Sequence, residues 1–412
     1  MSLDTSGPIR ILVVDDEPDL ELLIRQKFRR EIRDRELDFR FAPDGLEALE
    51  KVNSDGGLDI ILSDINMPRM DGLTLLSRLA DMELTLKTVI VSAYGDMENI
   101  RTAMNRGAFD FVTKPINFED LRKTVDKTWK EVCLIRSAED SRKHLALLQR
   151  ELDIANRIQL STLPSNFPAF PDRTEFDLYA TMIPAQEVGG DFYDFFMIDE
   201  EQLGFVVGDV SGKGVGAAMF MAITKTLLKA TAVQGNPAQT CVRHVNKVLY
   251  PESVRGLFVT AFYGILDIET GVVNYCNAGH NHPYVLRSNG EVEIIEPPKG
   301  LALCLTDDFH YKAGQINLTK GDTLFMYTDG VNEAINATRE EFGVGRIVEC
   351  LKNEVGCKPA EVVRDVFREV EAFSGGISQS DDITMLALEY LGSKREPVEI
   401  DEQALMGDMT VD

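Results

Sequence analysis

The stretch "AQEVGGDFYDFF", residues 185–196, sets an acidic side chain, Asp191, directly after Gly189 and Gly190 and inside an otherwise apolar run. Two glycines open the backbone, so that other groups can come close to this carboxylate. Three more aspartates have the same setting: Asp209 in "GDVSGKG", Asp329 in "YTDGVNEA" and Asp381 in "SQSDDITML". Each stands at the end of a strand-like run beside glycines or other acids. Around them, runs such as "FDLYATMI", "QLGFVVGDV", "LFVTAFYGILDI" and "DTLFMYTDG" are joined by helical stretches such as "GAAMFMAITKTLLKATAV" and "PAEVVRDVFREVEAF". Strands dominate and helices come late in each half, which predicts an α/β sandwich with two antiparallel sheets. Taken singly, "TDG" or "GD" is a turn signal. Four such carboxylates in one region, with no basic partner beside them in sequence, call for positive charge between them, and a pair of divalent cations supplies it.

Towards the amino terminus the pattern changes. From Ile9, short apolar runs alternate five times with amphipathic stretches, which predicts a doubly wound, five-stranded parallel sheet covered on both faces. Polar residues fall at the carboxyl ends of those strands, where such sheets bind ligands. These are Asp15 and Asp16 after the first strand, Asp64 after the third, Ser92 after the fourth and Lys114 before Pro115 after the fifth. One aspartate after a strand is usually a helix cap; all of these together are not explained that way.

The segments "VVDDEP", "SDINMPRMDG", "VSAYGD" and "TKP" resemble the receiver domain of two-component response regulators over about 120 residues. The resemblance implies that Asp64 accepts a phosphoryl group from a cognate histidine kinase. It further implies that Asp16, Asp64 and the carbonyl of Asn66 hold Mg2+ with Asp15 behind them, and that Ser92 and Lys114 contact the phosphoryl group. Phe111 occupies the switch-aromatic position. The chemistry is consistent: a carboxylate attacking a phosphoryl donor needs a hard, oxygen-ligated cation and a point charge on the transferred group.

The carboxy-terminal motifs "GGDFYD", "GDVSGKGVGAA", "NAGHNHP" and "YTDGVNEA" closely resemble the metal-dependent (type 2C) protein phosphatases, in particular their sporulation stage II protein E-like branch. By that resemblance Asp191 and Asp209, with the carbonyl of Val210, hold one Mn2+ or Mg2+ ion. Asp209, Asp329 and Asp381 hold the other, and Asp382 carries the weaker claim. Such a metal pair, ~3.5–4 Å apart, activates water for in-line attack on a phosphate ester without a protein nucleophile. The family's basic residue for the substrate phosphate has no clear equivalent. Lys213 is a candidate by proximity, against its reading as a solvated lysine in a glycine-rich turn.

The expected domains are a receiver over 1–125, a helical linker over 126–168, the phosphatase domain over 169–392 and an acidic flexible tail over 393–412. Along the linker, Trp129, Val132 and Ile135, then Leu145, Leu148, Leu152 and Ala155, recur at three-to-four spacing around a polar "SAEDSRKH". This reads as a long helix with a weak middle, either a dimer-forming coiled coil or a helix packed on its own domain.

Composition narrows the partners. The net charge of −25, from 68 acidic against 43 basic residues, argues against a sequence-independent hold on nucleic acid or anionic lipid. Six scattered cysteines (Cys133, Cys241, Cys276, Cys304, Cys350, Cys357) make neither a zinc motif nor a disulfide framework. The start lacks a secretory pattern and no apolar run is expected to reach ~18 residues, so a cytoplasmic protein is expected. "GDVSGKGVG" fails as a nucleotide loop, since Val207 and Gly214 stand where glycine and a hydroxyl residue are needed. His280 and His282 read as a structural loop.

The expectation is therefore a homodimeric response regulator whose output is a metal-dependent serine/threonine phosphatase. Its implied substrate is a phosphorylated anti-sigma-factor antagonist. The rival is a phosphatase-like adaptor without catalysis, which the retention of all four aspartates disfavours.

Overall fold

The computed structural model describes residues 7–393, except 56, 83, 94–95 and 254–255. The chain divides into two compact units, 1–148 and 149–412. The tail expected over 393–412 lies, beyond Ser393, outside the described residues.

The first unit runs β1 (Ile9–Val14), α1 (Pro18–Lys27), α2 (Arg29–Arg33), β2 (Leu37–Ala42), α3 (Gly45–Asp55), β3 (Ile60–Asp64), α4 (Gly72–Ala80), β4 (Lys87–Ala93), α5 (Met97–Asn105), β5 (Asp110–Lys114) and then α6 (Phe118–Thr162). Its sheet has the order β2-β1-β3-β4-β5 and every pairing is parallel. Strands buried on both faces explain the apolar runs from Ile11 to Val14 in β1 and from Ile60 to Leu62 in β3. The order reverses between β1 and β3, which brings the ends carrying Asp15 and Asp64 side by side.

The second unit runs β6 (Phe176–Ile183), β7 (Phe192–Met197), β8 (Gln202–Val210), α7 (Val215–Ala232), α8 (Ala238–Leu249), β9 (Val259–Asp267), β10 (Val272–Ala278), β11 (Tyr284–Leu286), β12 (Val292–Ile294), β13 (Ala313–Asn317), β14 (Thr323–Tyr327), α9 (Asp329–Asn332), α10 (Gly343–Asn353), α11 (Pro359–Ser374) and β15 (Ile383–Tyr390). Two antiparallel sheets result, ordered β13-β10-β9-β8-β7 and β12-β11-β14-β15-β6. One core joins the sheets through residues such as Phe205, Tyr263, Val285, Leu324 and Leu386, and continues to Leu228 of α7 and Val245 of α8. A second core lies between the other sheet and α10 and α11, through Phe325, Met385, Ile347 and Val366. The strict alternation of burial along β6 shows how one strand serves both.

One expectation is met and one needs correction. The linker is a long helix, uninterrupted through its polar middle: α6 is a single helix of 45 residues that begins within the receiver core at Leu121 and Val125. Its polar middle contains neither glycine nor proline, so nothing there interrupts the backbone hydrogen bonds. The unit boundary falls inside it. The proline-rich segment that follows packs into the second unit, with Leu163 buried and the Phe167 and Tyr179 rings 4.6 Å apart.

The correction concerns α7. Its 18 residues, mean hydropathy 1.2, are long and apolar enough to cross a membrane, contrary to the expectation. Half of the helix is buried within the unit, and Lys225 reaches inward to Asp194 of β7 at 2.9 Å, which is how a core helix behaves.

Candidate functional site

In the first unit the carboxyl ends of β1, β3 and β5 converge on Lys114. Its Nζ lies 2.7 Å from Asp64, 2.9 Å from Asp15 and 3.1 Å from Glu17. Burial pulls the ammonium pKa down, but the three carboxylates outweigh this and raise it. Burial pushes the Asp15 carboxyl up, against the pull of Lys114. Asp64 also accepts from the backbone of Ile65 (2.6 Å) and Asn66 (3.4 Å), which fixes the carboxylate at the strand end. Ser92 is buried and, among the described residues, its hydroxyl has no partner, a donor left free for a ligand.

The grouped carboxylates able to share a cation are Asp15, Glu17 and Asp64; Asp16 is exposed and stands outside that group. Glu17, the last acid of "VVDDEP", joins the group although nothing in that motif marks it apart from Asp16. Phe111 is partly exposed on β5, opposite Ile90 rather than Ser92 in the strand register.

In the second unit the four aspartates come from both sheets. Asp191 precedes β7, Asp209 lies near the end of β8, Asp329 opens α9 directly after β14, and Asp381 precedes β15. The charge of one reaches the next. Burial, then Asp209, pushes the Asp191 carboxyl well above its ordinary range. Asp209 is pushed up to about 7 by burial, then by Asp329 and Asp381. Asp329 rises through burial and Asp381. Carboxyls raised by neighbouring acids in this way mark a site short of positive charge. Oxygen-only donors suit a hard divalent cation.

The surroundings of Asp191 explain its two glycines. Asp382 is buried and accepts from the backbone N–H groups of Ala185 (2.8 Å), Gly190 (2.6 Å) and Asp191 (3.4 Å), holding the loop before β7. A Cβ on Gly189 would stand 2.4 Å from Asp382 Oδ2, and one on Gly190 2.6 Å from the Val210 carbonyl. Asp191 itself accepts from Thr328 Oγ1 at 2.6 Å, and that hydroxyl accepts in turn from the Thr384 N–H at 2.9 Å.

Thr328, Asp382 and Gln159 escaped the sequence reading as supports of Asp191. Gln159, near the end of α6, pairs its side-chain amide with the Gly189 backbone in both directions, at 2.5 and 3.1 Å. The adjacency of Thr328 to Asp329 and of Asp382 to Asp381 was the available signal. Lys213 lies 3.1 Å from Asp381. His280 is buried, with Thr260 Oγ1 2.9 Å from Nδ1, while His282 is exposed; the pair does not converge.

A parallel phosphoacceptor-type domain followed by a two-sheet domain with convergent carboxylates defines a two-domain signalling protein. The family described as Response regulator receiver domain matches residues 11–126, and that described as Stage II sporulation protein E (SpoIIE) matches 199–391. The chain has an amino-terminal receiver domain and a carboxy-terminal phosphatase-type domain of the SpoIIE kind.

Among similar proteins, Protein IcfG of Synechocystis is 33% identical over 265 residues, covering 58% of this chain and 41% of that one. The phosphoserine phosphatase RsbU of Bacillus subtilis is 26% identical over 242 residues, covering 58% and 70%. The chain thus spans less than half the length of IcfG. The SiaA-PP2C domain of Pseudomonas aeruginosa shares the fold, with TM-score 0.52 and 21% identity over 60% of this chain and 98% of that one.

Proposed function

We propose that this chain is a response regulator whose output is a metal-dependent protein serine/threonine phosphatase, controlled by phosphorylation of Asp64. The proposed substrate is a phosphoserine or phosphothreonine on an anti-sigma-factor antagonist, and the proposed donor is a histidine kinase. The observation that carries the reading is that Asp191, Asp209, Asp329 and Asp381 are delivered from the ends of strands of both sheets and bring their charges within reach of one another. Likeness to a phosphoserine phosphatase supports the substrate class.

Asp191 and Asp209, with the Val210 carbonyl, would hold one divalent ion; Asp209, Asp329 and Asp381 would hold the second. Such ions, when bound, supply activation of water and neutralise phosphoryl charge. The chain's own residues fix the geometry in advance. Thr328 orients the Asp191 carboxylate, and Asp382 pins the backbone amides that precede it. Little reorganisation is then needed as charge develops, which is where catalysis of phosphate-ester hydrolysis must come from.

For regulation we propose that phosphorylation alters receiver pairing and reorders α6. The continuity of that helix, its exposed Leu145, Leu148, Ile154 and Ile158, and its Gln159–Gly189 hydrogen bonds support this reading and a homodimer. The catalytic proposal is tested by phosphate release from an aryl phosphate and a phosphoserine peptide with Mn2+. Wild type turns over and Asp329→Ala loses at least about a hundredfold. Equal inertness of the two at millimolar Mn2+ would leave only the adaptor.

A further inference from the structure

One cation already stands among the carboxylates of the second unit. Lys213 Nζ lies 3.1 Å from Asp381 Oδ2 and donates to the carbonyl of Ser380. Its charge reaches further: burial and neighbouring acids raise the Asp329 and Glu333 carboxyls, and Lys213 opposes that rise at both. An ammonium is a compact point charge on a flexible stem, the side chain best able to mimic a small cation.

One ion pair and one hydrogen bond hold it there. Lys213 sits between Gly212 and Gly214, both with positive φ (89° and 77°). A Cβ on Gly214 would touch nothing, and one on Gly212 would meet only Leu257 at 3.8 Å. Both side chains of the pair are more than a third exposed, so the pair itself is weak and easily exchanged. A divalent ion ligated by Asp381 and an ammonium on the same carboxylate repel each other, and with Oδ1 accepting from the Asp382 N–H at 2.9 Å they would compete at Oδ2.

We propose that Lys213 is a built-in stand-in for the cation at Asp381, which a divalent ion must displace, so that this lysine sets the chain's affinity for that ion. The inference rests on the metal-dependent reading above. It gives Lys213 a part different from both expectations, neither a merely solvated lysine nor a fixed phosphate clamp.

Calorimetric titration of the full chain with Mn2+ alone tests it. The isotherm of Asp381→Ala supplies the baseline, including binding at the receiver. Lys213→Met and Lys213→Gln are expected to tighten the Asp381-dependent site by about fivefold or more, while Lys213→Arg keeps the weaker affinity of wild type. Unchanged or weaker binding in both neutral variants overturns the proposal. If wild type and Asp381→Ala give the same isotherm, no ion uses Asp381, and the metal-dependent reading fails along with the proposal.

Discussion

Gly190 and Asp382 are 192 residues apart, yet the loop that presents Asp191 depends on both. A methyl group at Gly190 would stand 2.6 Å from a backbone carbonyl, that of Val210, which cannot swing aside as a side chain would. Gly190→Ala is therefore expected to cost about 1–3 kcal/mol of stability, read by urea unfolding, and to weaken Mn2+ binding by shifting the Asp191 and Val210 donors apart. Asp382→Asn keeps the volume but turns one of its acceptor positions into a donor facing backbone N–H groups, so a larger loss of metal affinity than of fold stability is expected. The glycine pair was legible as space beside a carboxylate. What fills that space was not: Asp381 and Asp382 read alike in "SDDIT", and only the fold separates the member whose oxygens the backbone occupies from the member left to face its fellow aspartates.

At the level of elements, the two sheets were legible from strand-like runs and their turns, because alternation and glycine placement are local signals. The tie across them was not. His280 follows β10, and its ring meets Thr260 of β9, the residue paired with Asp209 of β8. Burial pushes its pKa from the ordinary 6.5 down to about 4, only partly offset by the Tyr327 backbone. Between those two values the unfolded chain binds the proton and the folded chain does not, so stability is lost as pH falls from about 6.5 towards 4. At pH 5 the loss from this group is about 2 kcal/mol. Urea midpoints at pH 7 and pH 5 check it: His280→Gln should show a smaller acid-induced drop than wild type, and an equal drop would mean that other groups govern acid sensitivity. A histidine in a turn motif such as "GHNHP" carries no sequence mark of burial, since what covers it arrives from strands far along the chain.

For the whole molecule, the informative element is the unbroken α6. The polar stretch "SAEDSRKH" lacks an apolar stripe, which suggested weakness, but a helix needs only its backbone hydrogen bonds and tolerable side chains to continue. One end is packed in the receiver core through Leu121 and Val125, and the other carries Gln159 on the Gly189 backbone. The proposal that phosphorylation acts through α6 needs this helix to be continuous. Proline at exposed Ser141 removes a backbone hydrogen bond and costs about 3 kcal/mol locally, far from either folded core. Ser141→Pro should therefore leave Asp64 phosphorylation and Mn2+ binding as in wild type, and abolish the change in phosphatase turnover when a phosphoryl analogue is bound. Light scattering on the same samples follows receiver pairing separately. If Ser141→Pro still responds like wild type, the helix is a tether and the signal travels by another route; if wild type itself shows no change in mass or turnover, α6 has no regulatory part.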